Sequence, residues 1–433
     1  MQRPAQTGHR NCLTYLWMTI AATVIATLLV LAATLVHAQT FTVLHSFSRT
    51  DGWFPDAGLT IDRAGNLYGT TADGGTLGGS CCGTVFKMSQ RGSGWVLSEL
   101  HLFSGGSDGT TPLARVVFGP DGTLYGTASG GGLNGDGVVF NLQPPATACK
   151  SVSCPWIETI LFPFQGYSNP SGDLVFDATG NIYGTTFNGG NYSDCAPLGC
   201  GTLYQLAKSG GVWTEDIIHI FTGGTDGQHP DSGVIFDPAG NLYGTAVGNP
   251  NQNGNNAGLV FQFVPSGGGW TENVLYQFQP GGQDGEYPYA GLVFDPAGNL
   301  YGTTTVGGSN GGGIFYELSP SGSDWNFTSQ YSFPRPGFAT AGGPYEALIR
   351  DGAGNLYGTT ATDGANGFGA VFKLTPSNGG WIYTSLHDFN FNDGYYPLNV
   401  VMDARGNLYG ITSYGGNTSD CQYGCGVIFE ITP

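Results

Sequence analysis

From Phe41 onward the chain alternates short apolar runs with glycine-rich polar stretches, and the runs return in register. The most regular is Asn-Leu-Tyr-Gly-Thr, with small variations. Its tyrosine falls at Tyr68, Tyr125, Tyr183, Tyr243, Tyr301, Tyr357 and Tyr409, at spacings of 57, 58, 60, 58, 56 and 52 residues. One unit is therefore repeated seven times. Each unit reads as four strands. The innermost is short and apolar, as from Ala290 to Phe294, and ends in an Asp-x-x-Gly-Asn turn, as from Asp295 to Asn299. Asp and Asn side chains bond local backbone there, and Gly accepts a positive φ. The second strand is Leu300 to Thr304. A Gly-rich loop leads to the third, Gly-x-Val-Phe-x-Leu, as in Gly83 to Met88, Gly201 to Leu206 and Gly369 to Leu374. A Pro-Ser-Gly-Gly type of turn leads to the fourth, Trp270 to Phe278, with Trp95, Trp156, Trp213, Trp325 and Trp381 at the same place.

The ends of the pattern predict how it closes. The last unit stops after its third strand, at residues 426–433, and Phe41 to Phe47 matches the missing fourth. Pairing the two ties a circle and removes an exposed edge, which a solenoid has no reason to do. The expected fold is all-β: a seven-bladed β-propeller with four-stranded blades, a single domain over 39–433, whose N-terminal strand 41–47 completes the last blade.

Residues 1–38 break the pattern. Arg3 and Arg10 precede an apolar run from Leu13 to Val36. Val36-His37-Ala38 then puts small residues at the −3 and −1 positions before Gln39. This is a signal-peptide pattern. The run is long for one, so an uncleaved anchor is the competing expectation. No later segment is long and apolar enough to span a bilayer, so no membrane span is expected after cleavage. The protein is expected to be secreted, periplasmic or at the cell surface.

Composition fits a folded, exported chain: 40% of residues are hydrophobic, with 26 Phe and 22 Tyr, unlike a disordered sequence. The formal charge of −18 repels phosphate backbones, so nucleic acid is excluded as a partner. It leaves cations, cationic ligands and neutral sugars, and by itself needs no more than solubility. Of nine cysteines, Cys12 lies in the signal segment, and the others form four close pairs: Cys81 and Cys82, Cys149 and Cys154, Cys195 and Cys200, Cys421 and Cys425. In an exported chain these read as disulfides. Zinc is disfavoured, because no cluster has a nearby His. Cys81 and Cys82, being adjacent, either bridge each other or reach blade 7.

The stretch from Asp62 to Thr71, followed by Gly83 to Met88, resembles the Gloeobacter–Verrucomicrobia tandem-repeat family, and the resemblance covers about 39–433. More distantly the unit is similar to NHL and SMP-30-type propeller blades. The first resemblance implies an exported bacterial protein. The second implies a likeness to lactonases in which acids and Asn converge on one cation, and Asp173, Glu346 and Asn399 are the groups here that would do so. A divalent cation such as calcium is the only cofactor suggested.

Two loop sets usually form the ligand face of a propeller, between blades and within them. The interblade loop here is Asp-Gly-x-x-Pro, and places Asp51, Asp108, Asp226, Asp284 and Asp393 around one mouth. They read either as a cation site or as repeated turn chemistry. The same loops carry Trp53, Phe54, Tyr167, Tyr287, Tyr395 and Tyr396, with Tyr289 and Tyr345 just beyond Pro. These suit stacking on sugars or packing between blades.

Counting four residues back from the terminal Asp position of each innermost strand gives Gly58, Arg115, Asp173, Gly233, Gly291, Ala347 and Asn399. Small residues belong where seven strands crowd one channel. Arg115, Asp173 and Asn399, with Glu346 beside Ala347, depart from that rule, and are expected either to line a polar channel site or, for Arg115 and Asp173, to fill it as an ion pair. His45, His101, His219 and His387 share one position on the outermost strand and cannot converge, so no Ser-His-Asp or Cys-His arrangement can be named. The leading expectation is a non-enzymatic propeller that binds a glycan or surface protein at the loop face. A metal-assisted hydrolase, lactonase-like or sugar-active, at the channel mouth is the second reading, and a purely structural extracellular protein the third.

Overall fold

In the computed structural model, the described residues are 39–75, 82–146, 155–248, 256–335 and 342–432. Phe41–Ile431 form one compact unit. The other, Met1–Thr40 with Thr432–Pro433, contains the expected signal segment, which lies outside the described residues.

The larger unit is a seven-bladed β-propeller. Its strands form seven separate antiparallel sheets of four, and no helix occurs among the described residues. In blades 1 to 6 the four strands follow in sequence; blade 1, for example, runs Thr60–Ile61, Leu67–Thr71, Thr84–Arg91, Gly94–Leu102. Blade 7 runs Tyr395–Met402, Leu408–Tyr414, Val427–Thr432, and takes its outer strand, Thr40–Ser46, from the other end of the chain. The closure expected from the split repeat is thus present.

The repeat motif is explained by local contacts. In each Tyr-Gly-Thr the glycine lies under an aromatic ring of the third strand. Gly69 pairs with Phe86 in register, and a Cβ on Gly69 would come within 2.6 Å of the Phe86 ring. Gly302 under the Tyr316 ring repeats this at 2.5 Å. The turn Asp explains the motif's Tyr. Asp62 Oδ1 accepts the N–H groups of Ala64 and Asn66, while Oδ2 accepts Asn66 Nδ2 and the Tyr68 hydroxyl at 3.1 Å. In blade 2 the equivalent position is Gly119, and Asp121 takes over, accepting the Tyr125 hydroxyl at 3.0 Å. The fourth-strand Trp then covers the Tyr of the preceding blade, as Trp325 covers Tyr243 and Trp95 covers Tyr409, so that the apolar core lies between blades.

Inner strands are shorter than the sequence suggested. Only two residues pair in each of blades 1 to 6, such as Val293–Phe294, whereas blade 7 pairs over Tyr395–Met402. The residues before each pair are packed around the axis instead. A Cβ on Gly233 would sit 2.3 Å from the Asp173 carbonyl, so neighbouring inner segments touch backbone to backbone there.

The residue before the loop proline is left-handed in six blades: Phe54, Thr111, Asn169, His229, Tyr287 and Tyr396 have φ of 48–59°. The amides of Thr111, His229, Tyr287 and Tyr396 reach the preceding blade, as from Tyr287 to the Ala257 carbonyl at 2.8 Å. The carbonyl of this residue accepts from the second strand's exit in its own blade, as from Thr305. Two welds at one residue hold this strained conformation in place.

Candidate functional site

The inner segments enclose a cavity of about 540 Å³. Two positions of each segment supply its polar lining. Directly after the loop proline stand Asp56, Leu113, Ser171, Asp231, Tyr289 and Tyr345 in blades 1 to 6. Two residues further come Gly58, Arg115, Asp173, Gly233, Gly291 and Ala347. Ser232, Glu346, Tyr396 and Asn399 add further polar groups, and apolar residues of the inner strands such as Leu174, Leu292 and Leu348 fill the rest of the wall. Small side chains at the second position are what make room for a cavity.

Arg115, Asp173, Glu346 and Asn399 all line this cavity. Arg115 and Asp173 are joined tightly: Asp173 Oδ2 accepts Arg115 Nε at 2.6 Å, and Oδ1 accepts the Arg115 backbone N–H at 2.9 Å. Asn399 is 2% exposed and uses its Oδ1 on the Leu59 amide at 3.1 Å. Glu346 is different. Burial pushes its carboxyl up to about 8, Asp173 pushes the same way, Arg115 opposes, and Asp56 and Asp231 add to the rise.

Asp56 and Asp231 were not singled out by sequence. Burial pushes Asp56 up to about 6 against a hydrogen bond from Ser413. Asp231 is also raised, mainly by burial, although Ser171 donates to it at 2.8 Å. Aligning the units on the residue after Pro, which reads Asp, Leu, Ser, Asp, Tyr, Tyr across blades 1 to 6, would have found both. Between Asp231 and Asp56, Tyr289, Tyr345 and Tyr396 form an arc over blades 5 to 7, with ring centroids 5.1 and 5.6 Å apart.

The loop acids do not join this set. Each serves its own turn: Asp51, Asp108, Asp226, Asp284 and Asp393 accept backbone N–H groups of Ser48, Ser104, Thr222, Gln279 and Asn390. Asp51, Asp226 and Asp393 also bond the outer-strand His45, His219 and His387, and Asp284 bonds Tyr276. Among the loop aromatics only Tyr396 lines the cavity. Trp53 sits under Arg49, Phe54 and Tyr395 pack on Tyr414, Tyr287 is half-buried at its weld, and Tyr167 is 65% exposed. The single histidine of these loops, His229, stacks on Phe187 and bonds its carbonyl at 2.8 Å.

Cys195 and Cys200, and Cys421 and Cys425, form disulfides. Cys82 is also disulfide-bonded; Cys81, Cys149 and Cys154 lie outside the described residues.

Similarity to solved structures is broad and low in identity. PorZ, a surface component of the type-IX secretion system of Porphyromonas gingivalis, is 14% identical, with a TM-score of 0.51 over 90% of this chain and 47% of that one. A putative 6-phosphogluconolactonase of Bacteroides uniformis is 13% identical, with a TM-score of 0.46 over 77% and 84%. A gluconolactonase of Xanthomonas campestris is 14% identical, with a TM-score of 0.39 over 72% and 81%. These likenesses concern the propeller fold alone. No curated protein matches the chain. The model of the Gloeobacter/Verrucomicrobia repeat matches residues 30–155, 156–337 and 249–433, which together with the repeat contacts above makes this chain a member of the Gloeobacter/Verrucomicrobia repeat family.

Proposed function

We propose that this protein is a binding propeller whose central cavity takes a small polyhydroxylated ligand bearing a positive charge, with an amino sugar as the model ligand. The observation that carries this reading is the charge imbalance of the lining. Asp56, Asp231 and Glu346 share the cavity with one cation, Arg115, which is already paired to Asp173. A cationic group would supply the missing counter-charge and draw the raised carboxyls back to their ionised forms. The tyrosine arc offers flat faces for a sugar ring, and ionised carboxylates accept its hydroxyls strongly. The site lies inward of the Asp-Gly-x-x-Pro loops, whose acids are used within their turns.

Titration calorimetry with glucosamine, glucose and N-acetylglucosamine tests this. Glucosamine should bind about tenfold more tightly than either neutral sugar, and Asp231→Asn or Glu346→Gln should each lose about that factor. Equal affinities for all three, or affinities untouched by both substitutions, would overturn the reading.

A metal-assisted hydrolase finds less support. Of its expected ligands, Asp173 is committed to Arg115 and Asn399 Oδ1 to the Leu59 amide, leaving Glu346. Lactone turnover that a chelator abolishes would restore it. Export remains part of the proposal, on the signal-peptide pattern of residues 1–38 and on the disulfides, which persist in oxidising compartments.

A further inference from the structure

Around the rim, away from the central cavity, the outermost strand of each blade meets the next blade through one repeating pair of positions. The first is the residue two before the fourth-strand Phe; the second lies two residues after the Trp of the next blade. The pairs read His45 with Leu97, His101 with Glu158, Phe162 with Glu215, His219 with Glu272, Tyr276 with Phe327 and Tyr331 with Tyr383. Phe41 takes the second place at the junction with His387. Three of the seven junctions are filled by stacked rings: Tyr276 on Phe327, Tyr331 on Tyr383 and Phe41 on His387. At two junctions a histidine instead faces a glutamate, with the loop Asp beside both.

Those two clusters share an arrangement. His101 Nε2 lies 3.6 Å from Glu158 Oε1 and 3.9 Å from Asp108 Oδ2. His219 Nε2 lies 3.7 Å from Glu272 Oε2 and 3.2 Å from Asp226 Oδ2. Within each cluster all three ligand atoms fall within 4.8 Å of one another. Three of the four separations are too long for a hydrogen bond. They are close to the spacing of ligands around a common ion: metal–ligand distances of about 2.0–2.2 Å in a tetrahedral site put neighbouring ligand atoms about 3.3–3.6 Å apart. His101 Nε2, Glu158 Oε1 and Glu272 Oε1 are buried without a hydrogen-bond partner, an arrangement that is costly unless something else satisfies them. The aspartates are fixed from behind, Asp108 by Ser104 and Gly106 and Asp226 by Thr222, through both carboxylate oxygens. Such outer contacts orient a metal ligand.

We propose that His101, Asp108 and Glu158, and separately His219, Asp226 and Glu272, are two metal sites that join adjacent blades. One imidazole with two carboxylates suits a divalent transition ion of the zinc type, with a fourth position left for water. Each ion would tie an outer strand and interblade loop to the outer strand of the next blade, which strengthens the ring at two junctions that lack a stacked aromatic pair. The clusters are independent of the central cavity.

The test uses the full chain, stripped with chelator and dialysed, then titrated with zinc. Calorimetry should give two equivalents per chain, falling to one in Glu158→Gln, one in Glu272→Gln and none in the double variant. His45→Ala, at a junction lacking the glutamate, should leave two. Cobalt(II) should report the same stoichiometry by visible absorption, and zinc should raise the melting temperature of the wild type in a concentration-dependent way. No uptake by stripped wild-type protein, or two equivalents retained in the double variant, would overturn the proposal. The wild-type titration decides even if a variant fails to fold.

Discussion

Asn399 in blade 7 accepts the backbone N–H of Leu59 in blade 1 at 3.1 Å, across 340 residues of sequence. The contact depends on Gly58, because a Cβ there would fall 1.9 Å from Asn399 Oδ1. Ring closure therefore rests on this inner polar clasp as well as on the shared outer sheet. Asn399→Ala should cost about 1–3 kcal/mol, the usual cost of orphaning a buried donor. Gly58→Ala should cost at least as much by displacing the same side chain. The two should not add: once Asn399 is truncated, the methyl introduced by Gly58→Ala has room, so the double variant should be more stable than the sum by about 1 kcal/mol or more. Urea unfolding of the four proteins measures this, and strict additivity would mean the clasp is not shared.

The disulfides should contribute unequally to folding and to shape. Cys195–Cys200 and Cys421–Cys425 close loops of 5 and 4 residues in sequence separation, so loop-closure entropy assigns each about 2 kcal/mol. Cys421→Ser with Cys425→Ser should lower the unfolding free energy by about that much and leave far-UV circular dichroism unchanged. A loss of propeller structure on reduction would show that the loops organise the blades rather than decorate them.

The repeat made the architecture legible, because seven copies of one contact set appear as seven copies of one string. Gly69 beneath Phe86 and Asp62 beneath Tyr68 are local, and local contacts leave local motifs. The cavity was half legible. Arg115 and Asp173 stood out because they replace small residues at a crowded position. Asp56 and Asp231 did not, since they sit at a position where Asp, Ser, Leu and Tyr all occur and no consensus exists to break. The ring of loop acids was visible in sequence, but only geometry shows Asp51 and its counterparts turned back onto Ser48 and equivalent amides. Turn chemistry and ligand chemistry use the same residue, and spacing does not separate them.

Stability should fall as pH rises through neutrality. Burial lifts Asp56 to about 6, Glu215 and Glu272 to about 7, and Glu158 and Glu346 to about 8. Between the unfolded value near 4 and each of these, the folded state holds a proton that the unfolded state releases, so the slope of stability with pH is negative. His101 and His387, lowered by burial, work the other way but are fewer. Below about pH 4 the turn aspartates, such as Asp62 and Asp295, take over. Burial raises them, but hydrogen bonds from Asn66 and Asn299 outweigh it and hold them low, so their contribution is lost as acid protonates them. A maximum near pH 4–5 is expected for chelator-treated protein. Glu346→Gln should flatten the limb between pH 5 and 8 in melting curves. A maximum at pH 8 would mean these carboxyls are ionised in the fold.

Arg115 separates the cost of the empty cavity from the affinity for a ligand. Among the described residues its side chain is the one cation in the lining, and it pairs with Asp173, the two being 28% and 31% exposed. Arg115→Gln leaves Asp173 beside Glu346, Asp56 and Asp231 with no counter-charge. The loss should be about 1–3 kcal/mol near pH 8. It should be smaller at pH 5, where Glu346, raised to about 8, and Asp56, raised to about 6, are protonated. If the cavity receives a cationic ligand, the same substitution should tighten glucosamine binding, by about tenfold for one added unpaired charge, while neutral sugars stay unchanged. Weaker binding of glucosamine in Arg115→Gln would instead make Arg115 a direct hydrogen-bond donor to the sugar hydroxyls and would count against recognition through the ammonium.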